Sequence, residues 1–214
     1  MHCRPRPEAI GGLLELYDQG FVSDGIDAVA GLHGAMSATG LLNLVRSHNQ
    51  AHNSFLVGAG LYDFAGPVDP THAPAWRMNS ALLPMAFPEG SPMHPAYGAG
   101  HATVAGACTT ILKAWFDCGH QLDFAYEANP ADSGATLRPA AAAQPLTVGG
   151  ELNKLAANIS NARNMAGVHY FTDYWESLLL GEKIAIGILE EQKLTYPESF
   201  RLSIPLFAGG VHEV

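Results

Sequence analysis

The stretch that decides the fold is Gly98-Ala99-Gly100-His101, which leads into the apolar run Ala102-Thr103-Val104-Ala105-Gly106-Ala107-Cys108-Thr109-Thr110-Ile111-Leu112-Lys113-Ala114-Trp115-Phe116. The glycine and proline residues before it predict a turn, and the run behind it predicts a helix over about 100–116. Backbone N–H groups and the His101 side chain would then point into one small volume at the start of the helix. The sequence therefore predicts a site for an anion at this turn.

The composition limits the class of protein. With 214 residues, 48% of them apolar, the chain is long enough for one sizeable core, and we expect a single domain over 1–214. A formal charge of −9 without a basic patch argues against nucleic acid or an anionic membrane as a partner. No stretch offers about 20 uninterrupted apolar residues, and no signal peptide is visible. We expect a soluble protein and leave its localisation open.

Three cysteines, Cys3, Cys108 and Cys118, lack the spacing of a zinc site or of a disulfide framework. In a chain that is about half apolar, free cysteines usually pack as small apolar side chains. We therefore predict three buried thiols.

Helical patterns fill most of the chain. They predict helices over 7–18, more weakly over 26–46, then over 100–116, 147–163 and 173–193, with Thr147 as a helix cap. The second pattern is weakened by Gly31, Gly34 and Gly40. Residues 64–97 and 117–145 are predicted as long loops. An alternation of period two after Pro197 predicts a terminal strand. The predicted fold class is all-α, a helical bundle with a short C-terminal strand or hairpin.

A short polar junction lies between the last two predicted helices. Between them, Arg163 and His169 flank Gly167, and Asp173 follows. If the segment from His169 were helical, Asp173 would lie one turn further on and could reach the imidazole. A carboxylate on one ring nitrogen leaves the other as a nucleophile or metal ligand, and arginine supplies a fork of donors for an oxyanion.

These residues, with Arg6-Pro7 and Gly100-His101, resemble the three-part signature shared by the vanadium-dependent haloperoxidases and the related acid phosphatases. The algal and cyanobacterial bromoperoxidase branch is similar over further segments of the chain. The segments are Arg6-Pro7-Glu8, the run from Leu83 to Pro92, His94-Pro95, Gly100-His101-Ala102-Thr103, Gly150-Glu151-Leu152-Asn153-Lys154-Leu155, and the run from Arg163 to His169.

The resemblance implies a vanadate cofactor and a role for each matched residue. His169 would bond the vanadium, with Asp173 behind it, while Arg6, Arg163 and the Gly100 amide would bind its oxygens. His101 would be the acid–base group. His94 occupies the position that is histidine in the bromoperoxidases and aromatic in the chloroperoxidases. The implied activity is oxidation of bromide by hydrogen peroxide to a hypohalous acid equivalent that halogenates a small organic substrate.

Two departures from the family pattern bear on cofactor binding. The family lysine that precedes the Arg-Pro pair would fall before Met1, and Ala99 stands where a serine is usual. Loss of a cation and of a hydroxyl donor at an anion site would cost about 1.5–3 and about 0.5–1.5 kcal/mol respectively. We expect weakened vanadate binding and a truncated homologue that corresponds to the C-terminal catalytic part of the family.

Two other functions stay open at this point. One is a phosphatase with His169 as nucleophile and His101 as the acid for the leaving group. The other is an inactive fragment that acts as an interaction module, because apolar helices without a partner bundle would self-associate. Whatever the function, we expect a homo-oligomer.

Overall fold

The computed structural model describes residues 3–21, 27–47, 81, 91–122, 126–139 and 145–214. Helices occupy the predicted stretches, but the one helix predicted over 26–46 is wrong in part, because the chain forms two helices there that break at Gly40, which has φ 75°. The helices are α1 (Pro7–Asp18), α2 (Asp27–Ala38), α3 (Leu41–Ser47), α4 (Gly100–Trp115), α5 (Val148–Met165) and α6 (Phe171–Lys193). Two antiparallel hairpins pair β1 (Tyr126–Ala128) with β2 (Leu137–Pro139), and β3 (Ser203–Pro205) with β4 (Val211–Glu213). The all-α class with a C-terminal hairpin is confirmed.

The chain divides into two compact units. The first contains Met1–Tyr97 and Ala162–Phe171, and the second contains Gly98–Asn161 and Thr172–Val214. The prediction of one domain over 1–214 stays a prediction.

In the first unit, α1 begins with a proline in its first turn, where no intrahelical N–H is needed. Its Leu14 packs with Leu42 and Ala81 in a small buried core. The Glu8 N–H donates to the Gly167 carbonyl at 3.2 Å, and the Ala96 N–H donates to the Arg4 carbonyl at 2.9 Å. These two bonds join segments that are far apart in sequence.

The core of the second unit is built from small side chains. Ala99, Ala102, Ala105 and Ala156 surround Leu178, with two half-buried aromatic rings, Tyr174 and Phe207, against them. Small residues allow helices to approach closely. A close approach of α4 to α6 is set by Gly106 and Gly181, where a Cβ would lie 2.3 Å from the Leu178 carbonyl oxygen and 2.0 Å from the Thr103 carbonyl oxygen, respectively.

Thr147 caps α5 as predicted, because its Oγ1 accepts the Gly150 N–H at 3.1 Å. The interpretation of 117–145 as a loop is wrong in part, since hairpin β1–β2 lies within it. A turn around Asn129 joins the two strands, and its side chain accepts the Ala131 N–H. Most of the predicted loop over 64–97 lies outside the described residues. Residues 91–97, at its end, form neither helix nor strand.

Several burial predictions are wrong. The helical spacing of Leu178, Ile184, Ala185 and Ile188 predicts that all four face inward on α6. Leu178 and Ala185 are buried, but Ile184 and Ile188 are nearly half exposed. Cys3 and Cys108 are exposed and Cys118 is half-buried, so the prediction of three buried thiols fails. Apolar periodicity marks a helix correctly but does not say how much of its apolar stripe a neighbour covers.

No single helix within the described segments is both long and apolar enough to cross a membrane. The helices Ala28–Ala38 and Leu41–Ser47, which are bent by 76° relative to each other, are together long and apolar enough for a span, by length and composition only.

A buried lysine ties the C-terminal hairpin to α4. Lys113 is only 1% exposed, and its Nζ donates to the Pro205 carbonyl at 3.1 Å and lies 3.6 Å from the centre of the Phe207 ring. The Glu182 carboxylate accepts the Phe207 N–H at 2.8 Å. Burial lowers the pKa of Lys113 below its ordinary value of 10.5, because the ammonium loses water, and the nearby Glu182 carboxylate only partly offsets this.

We expect Lys113 to make the second unit more stable as the pH rises towards 10.5. Between its lowered folded pKa and 10.5 the unfolded chain binds more protons at this lysine, so the free energy of unfolding increases with pH. Burial raises the pKa of the Cys118 thiol, which acts in the opposite direction, so Cys118→Ala is the reference background. The free energy of unfolding is measured in urea at a series of alkaline pH values for Cys118→Ala and for the double variant Cys118→Ala/Lys113→Met. The amount by which Cys118→Ala is more stable than the double variant should grow with pH. A difference that is flat or falls would contradict this expectation.

Candidate functional site

Arg6 is the central side chain of the first unit. It immediately precedes α1 as its N-cap residue and is only 4% exposed. Its Nε donates to the His94 carbonyl at 3.0 Å, its Nη1 to the Val168 carbonyl at 3.0 Å, and its Nη2 to the Pro95 carbonyl at 3.3 Å. A planar guanidinium can bind several acceptors at fixed angles. Arg6 therefore fastens the start of α1 both to the 94–95 segment and to the peptide between Val168 and His169.

The ring of His94 also contacts Arg6. The Nη2 of Arg6 lies 3.0 Å from His94 Nδ1. The other ring nitrogen, Nε2, lies 3.4 Å from the same Nη2, and Nδ1 also lies 3.1 Å from the Pro95 carbonyl oxygen. The residue itself is exposed. The structure thus places His94 beside Arg6, which the sequence pattern did not indicate.

His169 lies in the turn that follows α5. Gly167 has φ 70°, and this left-handed conformation ends the helix while its N–H donates to the Asn164 carbonyl at 2.9 Å. The next N–H, of Val168, donates to the Arg163 carbonyl at 3.1 Å. The turn buries His169 to 6% exposure, and Arg163 is half-buried on the last turn of the helix. The arginine and the histidine of the predicted junction therefore both belong to one tight helix-ending turn.

Asp173 is completely buried in the first turn of α6. A carboxylate at this end of a helix is stabilised by the helix dipole. The helical spacing assumed for His169 and Asp173 is wrong, because α6 begins at Phe171 and His169 precedes it. The i, i+4 argument for their contact does not apply.

In the second unit, Gly100 and His101 are the first two residues of α4, as predicted. The N-cap residue Ala99 provides no side-chain hydrogen bond, and the first turn has no acidic residue. The N–H groups at this end thus lack a capping side chain and face no carboxylate of their own turn, which suits an anion. Both residues line an open pocket of about 520 Å³, whose other lining residues are Val104, Ala105, Cys108 and Ile159.

The described part of the chain contains no group of three or more histidine, cysteine, aspartate or glutamate side chains that could hold a metal ion. The structure brings together Arg6, His94 and the Val168–His169 peptide in the first unit, and Gly100 with His101 in the second. Sequence reasoning missed the main-chain carbonyl acceptors of Arg6, because a carbonyl group leaves no signal in the residue type.

Comparison with known proteins relates this arrangement to one family. Residues 56–195 match the family model of the VCPO second helical-bundle domain. The chain is 61% identical over 130 residues to the vanadium-dependent bromoperoxidase of Corallina pilulifera, and 59% identical over 130 residues to that of Corallina officinalis. Each alignment covers 61% of this chain and 21% of the relative.

A third relative aligns along nearly the whole chain. The vanadium-dependent bromoperoxidase of Ascophyllum nodosum is 34% identical over 212 residues, which is 99% of this chain and 33% of that protein. The chain thus spans between about a fifth and a third of the length of the curated relatives it matches.

Proposed function

This chain belongs to the vanadium-dependent haloperoxidases, and we propose that it binds vanadate and uses it to oxidise bromide with hydrogen peroxide. The observation that carries the proposal is the buried Arg6, which is fixed against the peptide bond of the buried His169. Main-chain carbonyls hold the guanidinium at fixed angles, which suits a group that presents donors to an oxyanion. The bromoperoxidase names of the relatives support bromide as the halide.

Each unit, taken by itself, offers donor groups that suit an oxyanion. The first unit offers two arginines and a buried imidazole, and the second offers the uncapped N–H groups at Gly100. Fork-shaped guanidinium donors and helix N-termini are the groups that proteins use for tetrahedral anions. In the proposal, Arg6, Arg163 and the Gly100 amide bind the vanadate oxygens, and His169 bonds the vanadium. Bound vanadate would supply a Lewis acid that activates peroxide without changing its own oxidation state.

The remaining roles concern protons and orientation. His101 lines the pocket and is exposed, and its proposed role is that of the acid–base group that exchanges a proton with an oxygen of the bound anion. Asp173 is the proposed carboxylate that supports the site from α6. His94 is proposed to face the halide. Its ring is already oriented by Arg6, so a substitution at either residue would affect the other.

The function is tested by loading the full chain with orthovanadate and measuring bromide-dependent, peroxide-driven bromination of monochlorodimedone. We expect vanadate-dependent turnover, and we expect His169→Ala to lower it by more than about 100-fold. Substitution of a residue that only supports a metal ligand typically lowers activity about 10–100-fold, so a larger loss indicates a direct ligand. His212→Ala is the matched control, because His212 is a surface histidine that pairs with Glu190. It should keep the full rate.

A folded, vanadate-loaded chain without turnover would overturn the proposal. Phosphate ester hydrolysis inhibited by vanadate would point instead to a phosphatase, and a chain that neither binds vanadate nor reacts would point to an interaction module.

A further inference from the structure

A buried serine on α6 supports the turn that carries Gly100 and His101. Ser177 is 2% exposed, and its Oγ accepts the N–H of Ala99 at 2.9 Å. Ala99 is the N-cap residue of α4 and is itself buried. This bond attaches the residue directly before Gly100 to the adjacent helix.

The Ser177 hydroxyl also limits the size of the side chain that can stand at position 98, directly before Ala99. A Cβ at Gly98 would lie 3.2 Å from Ser177 Oγ, closer than most real contacts of that kind. Because Gly98 has no side chain, the turn can approach α6 closely enough for the bond to form. The bond and the close approach are independent observations that place Ser177 directly under the turn.

The contact adds a bond from a second helix to those that α4 itself makes with Ala99. The Ala99 carbonyl accepts the Thr103 N–H at 3.0 Å and the Thr103 Oγ1 hydroxyl at 3.2 Å, both within α4, whereas the Ser177 bond ties Ala99 to α6. Ala99 has no hydroxyl with which to cap its own helix, and no side chain caps α4. The position of the Gly100 N–H depends on where Ala99 is held, and the glycines on either side of Ala99 restrict the backbone least. Anion binding by backbone N–H groups requires that they be held in the right direction beforehand.

We propose that Ser177 is a positioning residue that holds the Gly98–Ala99 peptide and, through Ala99, fixes where the Gly100 N–H lies for anion binding. The inference rests on the proposed function, since the anion in question is vanadate. In this proposal Ser177 does not contact the anion. Its effect passes through the Ala99 N–H.

The test compares Ser177→Ala with Ser160→Ala in the full chain. Alanine fits the space and favours a helix, so both variants should fold. Ser160 is the matched control: it is equally buried, on α5, but its hydroxyl donates only to the Ala156 carbonyl of its own helix. Two quantities are measured: hydrogen exchange of the Ala99 amide, and the dissociation constant for orthovanadate by calorimetry.

In Ser177→Ala we expect the Ala99 amide to exchange about 10-fold faster and vanadate to bind about 3–10-fold more weakly, as the loss of one neutral hydrogen bond predicts. Ser160→Ala should change neither quantity. Vanadate affinity in Ser177→Ala equal to that of Ser160→Ala would overturn the inference.

If even the unsubstituted chain binds no vanadate, the proposed function fails, and the amide exchange alone decides whether Ser177 fixes the turn. Unchanged exchange at Ala99 would then refute the positioning role. Faster exchange confined to residues 98–101 would support it.

Discussion

Replacement of Arg6 by methionine is expected to lower the free energy of unfolding of the first unit by about 3–5 kcal/mol. Methionine has a similar length but no donors, so the carbonyls of His94, Pro95 and Val168 lose the guanidinium that each of them now accepts from. A buried carbonyl left without a donor costs about 1–3 kcal/mol. Lysine should restore only part of the loss, because a single ammonium cannot reproduce the planar fork.

Native-state hydrogen exchange gives the measurement for the first unit. The amides of Glu8 and Ala96 form its long-range backbone bonds, so their protection should fall in Arg6→Met. Arg4→Met is the control two residues away: Arg4 is exposed and stacks over the Tyr170 ring at 5.3 Å. If both substitutions change protection equally, the special role of Arg6 in joining the segments is contradicted.

Gly181→Ala is expected to destabilise the second unit by about 3 kcal/mol or more. The new Cβ would lie 2.0 Å from the Thr103 carbonyl oxygen and 2.8 Å from the Ala107 nitrogen. Both are backbone atoms of α4, which cannot rotate away as a side chain can. The two helices would have to separate, and the buried contacts of Leu178 and the alanines around it would be lost.

Gly187→Ala on the same helix is the control. A Cβ there meets nothing within 4 Å, so alanine should be neutral or stabilise by up to about 1 kcal/mol through its higher helix propensity. Urea unfolding followed by tryptophan fluorescence compares the two variants. Equal effects of the two substitutions would show that α4 and α6 do not pack through Gly181.

The helices were predictable where local chemistry marks their ends. α1 has the predicted bounds of 7–18, since Pro7 suits the first turn and Gly20, at φ 74°, ends the helix region. α4 and α5 were located by an apolar run and by the Thr147 cap. The residue pattern is enough to predict these helices because the contacts that start and end a helix join residues no more than about four positions apart.

The remaining features depend on contacts that are distant in sequence. Ile184 and Ile188 continue the apolar stripe of α6, yet no local rule tells that this part of the stripe is exposed. Hairpin β1–β2 was hidden in a segment whose alanines and prolines favour a loop. In the site, residue types identified Arg6 and His169, but the bond from Arg6 to Val168 spans 162 residues and ends on a carbonyl. Ser177 was missed for the same reason, because its partner is the backbone N–H of Ala99.

Calorimetric titration of the full chain with orthovanadate tests the central claim most directly. The proposed site predicts saturable binding of one vanadate per chain, competition by inorganic phosphate, and loss of binding in His169→Ala while His212→Ala binds normally. Absence of saturable binding to the folded chain, or binding that His169→Ala leaves unchanged, would contradict the claim that these residues form a vanadate site.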